Sequence, residues 1–323
     1  MADDALGECL DALERQTLGN FEVIVVDNSG RGLVAARHPA RARVTVIEND
    51  RNRGFGAAVN AALARSQAPY LATLNDDAVA DAGWLEALVG AMESEAAIGM
   101  CASRVRLDGA RLDSAGMLLA RDGSSKQRGH ERPPEEFGRF QEVLLPSASA
   151  ALYRRAMLEQ IGPFDEDFFL YCEDTDLGLR ARWAGWKCMY VPAATVEHRY
   201  SHSAGSASPL KAYFVERNRL FVVLKNFPGR MLLEAPWAAL GRYFWHAMSL
   251  LEGRGAAARF RESGHAGLGL PWLVLRAHLA AAGALAGLWR KRRAIRRRAR
   301  ISGAEFRILA RRHSISLRKV ASL

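Results

Sequence analysis

Through the first two hundred residues, short continuous apolar runs alternate with stretches whose apolar positions recur at helical spacing. FEVIVVDNSG (21–30) and RVTVIEND (43–50) read as strands ending in polar turns, GFGAAVNAALARS (54–66) as a helix, and YLATLN (70–75) as a third strand. A helix over 82–93 leads to a fourth strand, IGMCASRV (98–105). Strands this short and apolar are buried on both faces, so the pattern predicts an α/β fold with a mainly parallel sheet and helices on both sides. Ligands of such sheets lie beyond the carboxyl ends of the strands, where Asp27 and Asp77 are both delivered.

Residues 106–147 lose this regularity, and DGSSKQRGHERPPEEFG within them predicts a mobile surface loop. Order returns from Ser147 to about Tyr200, with a helix near 153–161, the turn GPFDEDF, a helix within EDTDLGLRARWAG and the strand KCMYVPA. From Pro209 onward the pattern is helical.

Charge changes the picture of this last part. The chain of 323 residues has a net charge of +10, but residues 1–209 carry 22 basic against 30 acidic side chains, while residues 210–323 carry 23 against 5. Basicity is therefore a C-terminal property, and a hydrophobic content of 49% is enough for a sizeable core in the rest. Cys9, Cys101, Cys172 and Cys188 lie far apart without CxxC or zinc spacing, which favours a reducing compartment. The opening MADDALGECL has no secretory signal pattern. Leu268 to Trp289 approaches membrane-span length but carries Arg276 and His278, so an interfacial or packed helix is expected.

Four stretches carry candidate chemistry. Asn75, Asp76 and Asp77 end a strand with bare carboxylates. Such a turn can cap a following helix, or it can supply oxygen ligands to a divalent cation that takes its remaining ligands from phosphate and water. Glu173, Asp174 and Asp176 crowd a helix start, where they satisfy the dipole, with Arg180 as the i,i+4 partner of Asp176, or include a general base. His198 and His202 are spaced as a helical zinc pair, but the surrounding VEHRYSHSAG reads as a loop, leaving His198 as one further ligand of a phosphate-bound cation or an ordinary loop histidine. Gly54-Phe55-Gly56 lacks the third glycine of a dinucleotide fingerprint, with Val59 in its place, although a helix start near a phosphate remains open.

The order and spacing of these elements are jointly specific. CLDALERQTLGNFEVIVVDNSG, NRGFGAAVNAAL, LNDDAV, GPFDEDFFLYCEDTDLGLRARWAGWKCMYVPAATVEH and YFVERNRLFVVLKNFP resemble family 2 glycosyltransferases of the GT-A fold, in the bacterial branch that includes rhamnosyltransferases. The likeness spans about residues 6–230. It implies that Asp27, with Asn28, Asn52 and Gly54, lines the donor pocket, and that Asn75-Asp76-Asp77 is the family's DXD-type element with Asp77 as metal ligand. It further implies Asp174 of the Glu173–Asp174 pair as catalytic base, His198 as completing the metal site, and Arg217 and Asn218 near donor or acceptor. The implied cofactor is Mg2+ or Mn2+. The family usually begins with one more strand, of the type VSVVIVTYN, and the chain as given starts after it, inside the first helix.

The expected organisation is a glycosyltransferase domain over 1–230, with a donor half at about 1–105 and a catalytic half at about 147–230, followed by a basic extension over 231–323. Eight basic residues among the eleven of RKRRAIRRRAR (290–300) suggest an anionic membrane surface, hence a cytoplasmic protein peripheral to the inner face of the cell membrane. No aromatic residues interleave this run, which disfavours nucleic acid. The expected activity is inverting transfer of a sugar, from dTDP-rhamnose or a UDP-sugar, to a glycan or glycolipid. A non-catalytic truncated relative and a nucleotidyltransferase are the competing readings.

Overall fold

The structure is a computed structural model and describes residues 5–107, 109–198, 208–253, 255, 260 and 269–323. Its α/β framework keeps the predicted elements in order and adds α2 and β4, which were not predicted: α1 (Ala5–Glu14), β1 (Val23–Asp27), α2 (Leu33–Arg37), β2 (Val44–Glu48), α3 (Phe55–Arg65), β3 (Tyr70–Leu74), β4 (Ala78–Ala80), α4 (Trp84–Glu93) and β5 (Ile98–Leu107). The irregular stretch then builds β6 (Arg111–Ser114), β7 (Met117–Leu119), β8 (Ser125–Gln127) and β9 (Gln141–Glu142). After it come β10 (Ala150–Arg154), α5 (Arg155–Ile161), α6 (Glu173–Trp183) and β11 (Lys187–His198).

The main sheet has the order β3-β10-β5-β11-β4, with β6 on β5 and β9 on β11. It is mixed rather than mainly parallel: β11 runs parallel to β5, but β10 is antiparallel to both β3 and β5, and β4 is antiparallel to β11. The reason is the connection. A parallel neighbour needs a crossover, usually a helix, whereas β10 enters from the long 106–149 excursion and exits directly into α5. Strands β1 and β2 form a separate parallel pair. Among the described residues β1 pairs only with β2, and β3 only with β10. Val23–Val26 of β1 are accordingly half-buried, while Ile98–Ser103 of β5 are fully buried.

The excursion itself corrects the expectation of a mobile surface loop. Leu112, Ala115, Met117, Leu119, Phe137, Val143, Leu144 and Leu145 are all buried, and the guanidinium groups of Arg128 and Arg132 lie over the Phe137 ring. Tertiary contacts rather than local periodicity order this segment, so its pattern was not visible along the chain.

Helices α7 (Pro209–Asn226), α8 (Gly229–Leu251), α9 (Gly269–Gly283), α10 (Leu285–Arg297), α11 (Gly303–Arg312) and α12 (Leu317–Ser322) complete the chain. Ser208 caps α7 ahead of Pro209, and Ser302 with Glu305 forms a capping box on α11. These helices share a core with α6: Trp183 stacks on Phe306 at 4.4 Å, and the Arg296 guanidinium lies 3.5 Å over the Trp183 ring. Three of the eight basic residues in the run, Lys291, Arg292 and Arg296, are thereby tied to the core. Lys291 pairs with Asp165 and Asp167 at 2.5 and 2.6 Å, Arg292 donates to the Leu224 carbonyl and Arg296 to that of Asn226, whereas Arg290, Arg293, Arg297 and Arg298 are exposed.

Among the described residues no single helix is long and apolar enough to cross a membrane, and α9 and α10, which together reach that length, meet at 64°. Large apolar side chains nevertheless face outward along α8 (Leu233, Trp237, Leu240, Phe244, Leu251) and along α9 and α10 (Trp272, Leu279, Trp289).

Candidate functional site

The acidic turn is built by a reversal of the chain. β3 ends at Leu74, the Asn75 amide donates to the Ser149 carbonyl at 2.8 Å, and the Ala78 amide returns to the Asn75 carbonyl at 3.1 Å. β4 then runs back along β11 with Ala78 opposite His198, which sets the turn against the last residue of that strand. His198 Nε2 lies 3.1 Å from Asp77 Oδ1 and 3.3 Å from Asn75 Nδ2, while its Nδ1 lies 3.3 Å from Asp113 Oδ2. Asp113 in turn pairs with His130 Nδ1 at 3.3 Å.

The electrostatics follow from these neighbours. Burial alone would lower the pKa of His198, but the Asp113 and Asp77 carboxylates outweigh it and push the imidazole up to about 9. Asp76 is raised by burial and by the charge of Asp77. Asp113 is held below the usual range, because hydrogen bonds from His130 and His198 overcome its burial.

The donor set fits a divalent cation. A carboxylate oxygen and an imidazole nitrogen 3.1 Å apart match the edge of about 3 Å between neighbouring ligands of an octahedral ion bound at about 2.1 Å. Among the described residues no group of three His, Cys, Asp or Glu side chains is arranged to hold a metal. Asp77 and His198 would thus be two protein ligands, with the other positions left to phosphate and water, as an ion bridging phosphates requires. His202 lies outside the described residues, and His198 ends a strand.

The second carboxylate pair opens α6. Asp174 Oδ1 accepts from the Thr175 amide at 2.6 Å and from Thr175 Oγ1 at 3.2 Å, and its Oδ2 accepts from the Ala148 amide at 3.3 Å. Asp174 is closely surrounded yet keeps part of its surface accessible, and burial raises its pKa against those hydrogen bonds. Glu173 is occluded, its Oε2 has no hydrogen-bond partner among the described residues, and burial together with the neighbouring Asp174 charge pushes it up to about 8. Burial thus raises both members of the pair above the ordinary carboxylate range, and the two titrate as a unit. Asp176 is structural: it is fully buried between Lys225 at 2.7 Å, Arg180 at 2.8 Å and the Asn226 amide at 2.9 Å.

The loop before α6 is strained. Phe169, Tyr171 and Cys172 have φ of 61°, 69° and 65°, a region that side-chain-bearing residues rarely occupy. Asn218 holds it there by donating to the carbonyls of Phe168, Leu170 and Tyr171 at 2.9, 2.8 and 2.7 Å, and Arg217 donates to those of Asp167 and Phe168. Asn218 is fully buried, and its side chain is spent on the loop that precedes the carboxylate helix. Gly54 reaches the same loop from the other side. A Cβ there would overlap the Phe169 carbonyl, which accepts from the Phe55 amide at 2.9 Å, so this amide at the start of α3 is not presented to a phosphate.

The polar residues expected to line the donor pocket bind one another. Asp27 Oδ1 accepts from the Ser29 amide at 2.8 Å and Oδ2 from the Val34 amide at 2.9 Å; these bonds overcome its burial and hold its pKa low. Asn28 joins the Gly54 carbonyl, the Asn49 side chain and the Arg53 amide, and Asn52 Oδ1 accepts from the Gly54 amide. Two clusters thus emerge, one around Asn28, Asn52, Gly54 and the 167–172 loop, the other around Asn75, Asp77, His198, Asp113 and His130. The Ser147–Ser149 segment links Asn75 to Asp174. Sequence reasoning missed Asp113 and His130, which carry no spacing signal.

Comparison with known proteins agrees with this architecture. Residues 2–162 match the model of glycosyl transferase family 2. The chain is 32% identical over 231 residues to the N-acetylglucosaminyl-diphospho-decaprenol L-rhamnosyltransferase of Mycobacterium tuberculosis, covering 63% of this chain and 75% of that one. It is 26% identical over 265 residues to the pre-mycofactocin glycosyltransferase of the same organism, covering 76% of this chain and 54% of that one. Among solved structures, GalNAc-T7 with UDP, GalNAc and Mn2+ superposes with a TM-score of 0.56 at 13% identity, over 88% of this chain, which spans about half (55%) of that one. The mannosyltransferase PcManGT of Pyrobaculum calidifontis, with GDP-Man and Mn2+, gives 0.50 at 16% identity, over 90% and 81% of the two chains. The fold shared with both is GT-A.

Proposed function

The chain belongs to glycosyl transferase family 2, and from that premise we propose that it moves a sugar from a nucleotide-diphosphate donor to an acceptor hydroxyl with inversion at the anomeric carbon. One observation carries this reading: the Asp77–His198 clasp and the accessible Asp174 carboxylate hang on the same three-residue segment, Ser147–Ser149. Mn2+ or Mg2+ held by Asp77 and His198 would neutralise charge building on the departing diphosphate. Asp174 accepts the proton of the acceptor hydroxyl as that oxygen attacks the anomeric carbon from the face opposite the leaving group. One carboxylate suffices for inversion, and Glu173, pushed up to about 8 by burial and the Asp174 charge, is the neighbour that holds its proton near neutral pH. Asp27, Asn28, Asn52 and Gly54 shape the loops at the donor edge, with Asn75 and Asp76 beside the diphosphate.

The name of the mycobacterial relative supports L-rhamnose as the sugar and a lipid-linked glycan as the acceptor; dTDP-rhamnose, or else a UDP-sugar, is the proposed donor. An anionic membrane surface suits such an acceptor. The exposed Arg290, Arg293, Arg297 and Arg298 would each contribute about 1 kcal/mol near anionic lipid, and outward Trp272, Leu279 and Trp289 would lie in its interface.

The test is incubation with dTDP-rhamnose or a UDP-sugar, Mn2+ and a polyprenyl-diphosphate N-acetylglucosamine acceptor, with the product's anomeric configuration read by NMR. Inverted sugar transfer with release of nucleoside diphosphate is expected. Release of sugar 1-phosphate, the group that leaves when the nucleotidyl phosphorus is attacked, would point to nucleotidyl transfer, and donor binding without turnover to a binding protein. Sedimentation with anionic but not neutral vesicles, lost when Arg290, Arg293 and Arg297 are replaced by Glu, tests the membrane contact.

A further inference from the structure

We propose that Asp113 is a positioning residue: it fixes His198 in the tautomer protonated on Nδ1, so that Nε2, on the Asp77 side, is the atom offered to a divalent cation. The inference rests on the cation site proposed above and assigns the group that orients it.

Three observations carry it. Asp113 is only 2% exposed, so it cannot itself serve a ligand, yet its Oδ2 lies 3.3 Å from His198 Nδ1. It occupies the extra position of a β-bulge: Val105 of β5 faces Ser114 and Arg106 faces Leu112, leaving Asp113 between them. A bulge re-aims one side chain without disturbing its neighbours, and here the carboxylate turns toward β11, the strand on the other side of β5. Third, His130 holds Asp113 from behind, its Nδ1 lying 3.3 Å from the carboxylate and 3.2 Å from the Asp113 carbonyl. A carboxylate on the far nitrogen of a metal-binding histidine selects the tautomer and fixes the ring, and its loss weakens metal binding about 10- to 100-fold. Asparagine in its place can present an N–H to Nδ1 and stabilise the wrong tautomer.

The experiment is Mn2+ titration of the full chain with dTDP present, by calorimetry and electron paramagnetic resonance, for wild type, Asp113→Asn, His198→Ala, the double variant and Asp77→Asn. Asp113→Asn is expected to bind Mn2+ about 10- to 100-fold more weakly. It should add nothing in the His198→Ala background, because the two act through one ligand. A change of less than about threefold, or a further loss in the double variant, overturns the proposal. Unchanged Mn2+ binding in both His198→Ala and Asp77→Asn removes the cation site, and this inference with it. Nitrogen-15 NMR of wild-type His198, with Cd2+ as a diamagnetic stand-in, decides the matter even where a variant does not fold. Protonation on Nδ1 is expected, and protonation on Nε2 refutes it.

Discussion

The amide of Ala148 donates to Asp174 Oδ2 at 3.3 Å, and one residue later the Ser149 carbonyl accepts from the Asn75 amide at 2.8 Å. A segment of three residues therefore sets the separation between an acidic turn and a carboxylate helix that lie about a hundred residues apart in sequence. Backbone hydrogen bonds from a strand start make a stiff link, and sites built on such links hold their geometry better than sites built on loops.

The proposed roles of the two α6 carboxylates can be separated by substitution. With Asp174 as base, Asp174→Asn is expected to lower kcat/KM by about 10²- to 10⁴-fold while leaving nucleotide affinity intact. Glu173→Gln copies a neutral acid and is expected to stay within about tenfold of wild type. Steady-state kinetics on both variants check this, and the opposite order would reassign the base.

Glu173 also sets a pH dependence. Its pKa in the fold, about 8, exceeds the ordinary 4.5, so between these values the folded chain binds the extra proton. The stability this contributes is complete below about 4.5 and is lost as pH rises through about 8. Urea unfolding at pH 5, 7 and about 8.5 should show wild type losing stability across the series and Glu173→Gln losing less.

Asn218→Ala removes the donor to three carbonyls in a strained loop. A loss of roughly 2–4 kcal/mol is expected, since buried acceptors left unpaired cost about 1–3 kcal/mol each and water recovers part of it. Because the loop carries the start of α6, kcat should fall more than substrate affinity. A ligand-contacting residue would show the reverse.

Gly54→Ala is expected to destabilise by more than about 1 kcal/mol, through both its φ of 86° and the overlap with Phe169. Gly83→Ala is the control, since a Cβ there meets nothing within 4 Å, and thermal unfolding of the pair separates close approach from a general glycine effect.

Trp183→Ala removes a buried ring stacked on Phe306 and covered by Arg296, and should cost about 3–5 kcal/mol. A stability change below about 1 kcal/mol would mean that α10 and α11 contribute little to the core of the preceding residues.

Hydropathy along the chain marked the strands β1, β2, β3 and β5 and the helices α3 and α4, with Asp27 and Asp77 at strand ends, because a buried face imposes its spacing on the residues that form it, whereas α6, buried nearly all round, was legible from its acidic start. The motif order made the family legible as well. Only the tertiary structure decided the mixed strand directions, the burial of 106–147, the Asp113–His198 contact and the turning of Asn218 onto the carboxylate helix. Each of these is a pairing between residues about fifty or more positions apart, or a packing supplied by another element. Local hydropathy reports whether a residue is buried, but a hydrogen bond between distant polar side chains leaves no period in the sequence.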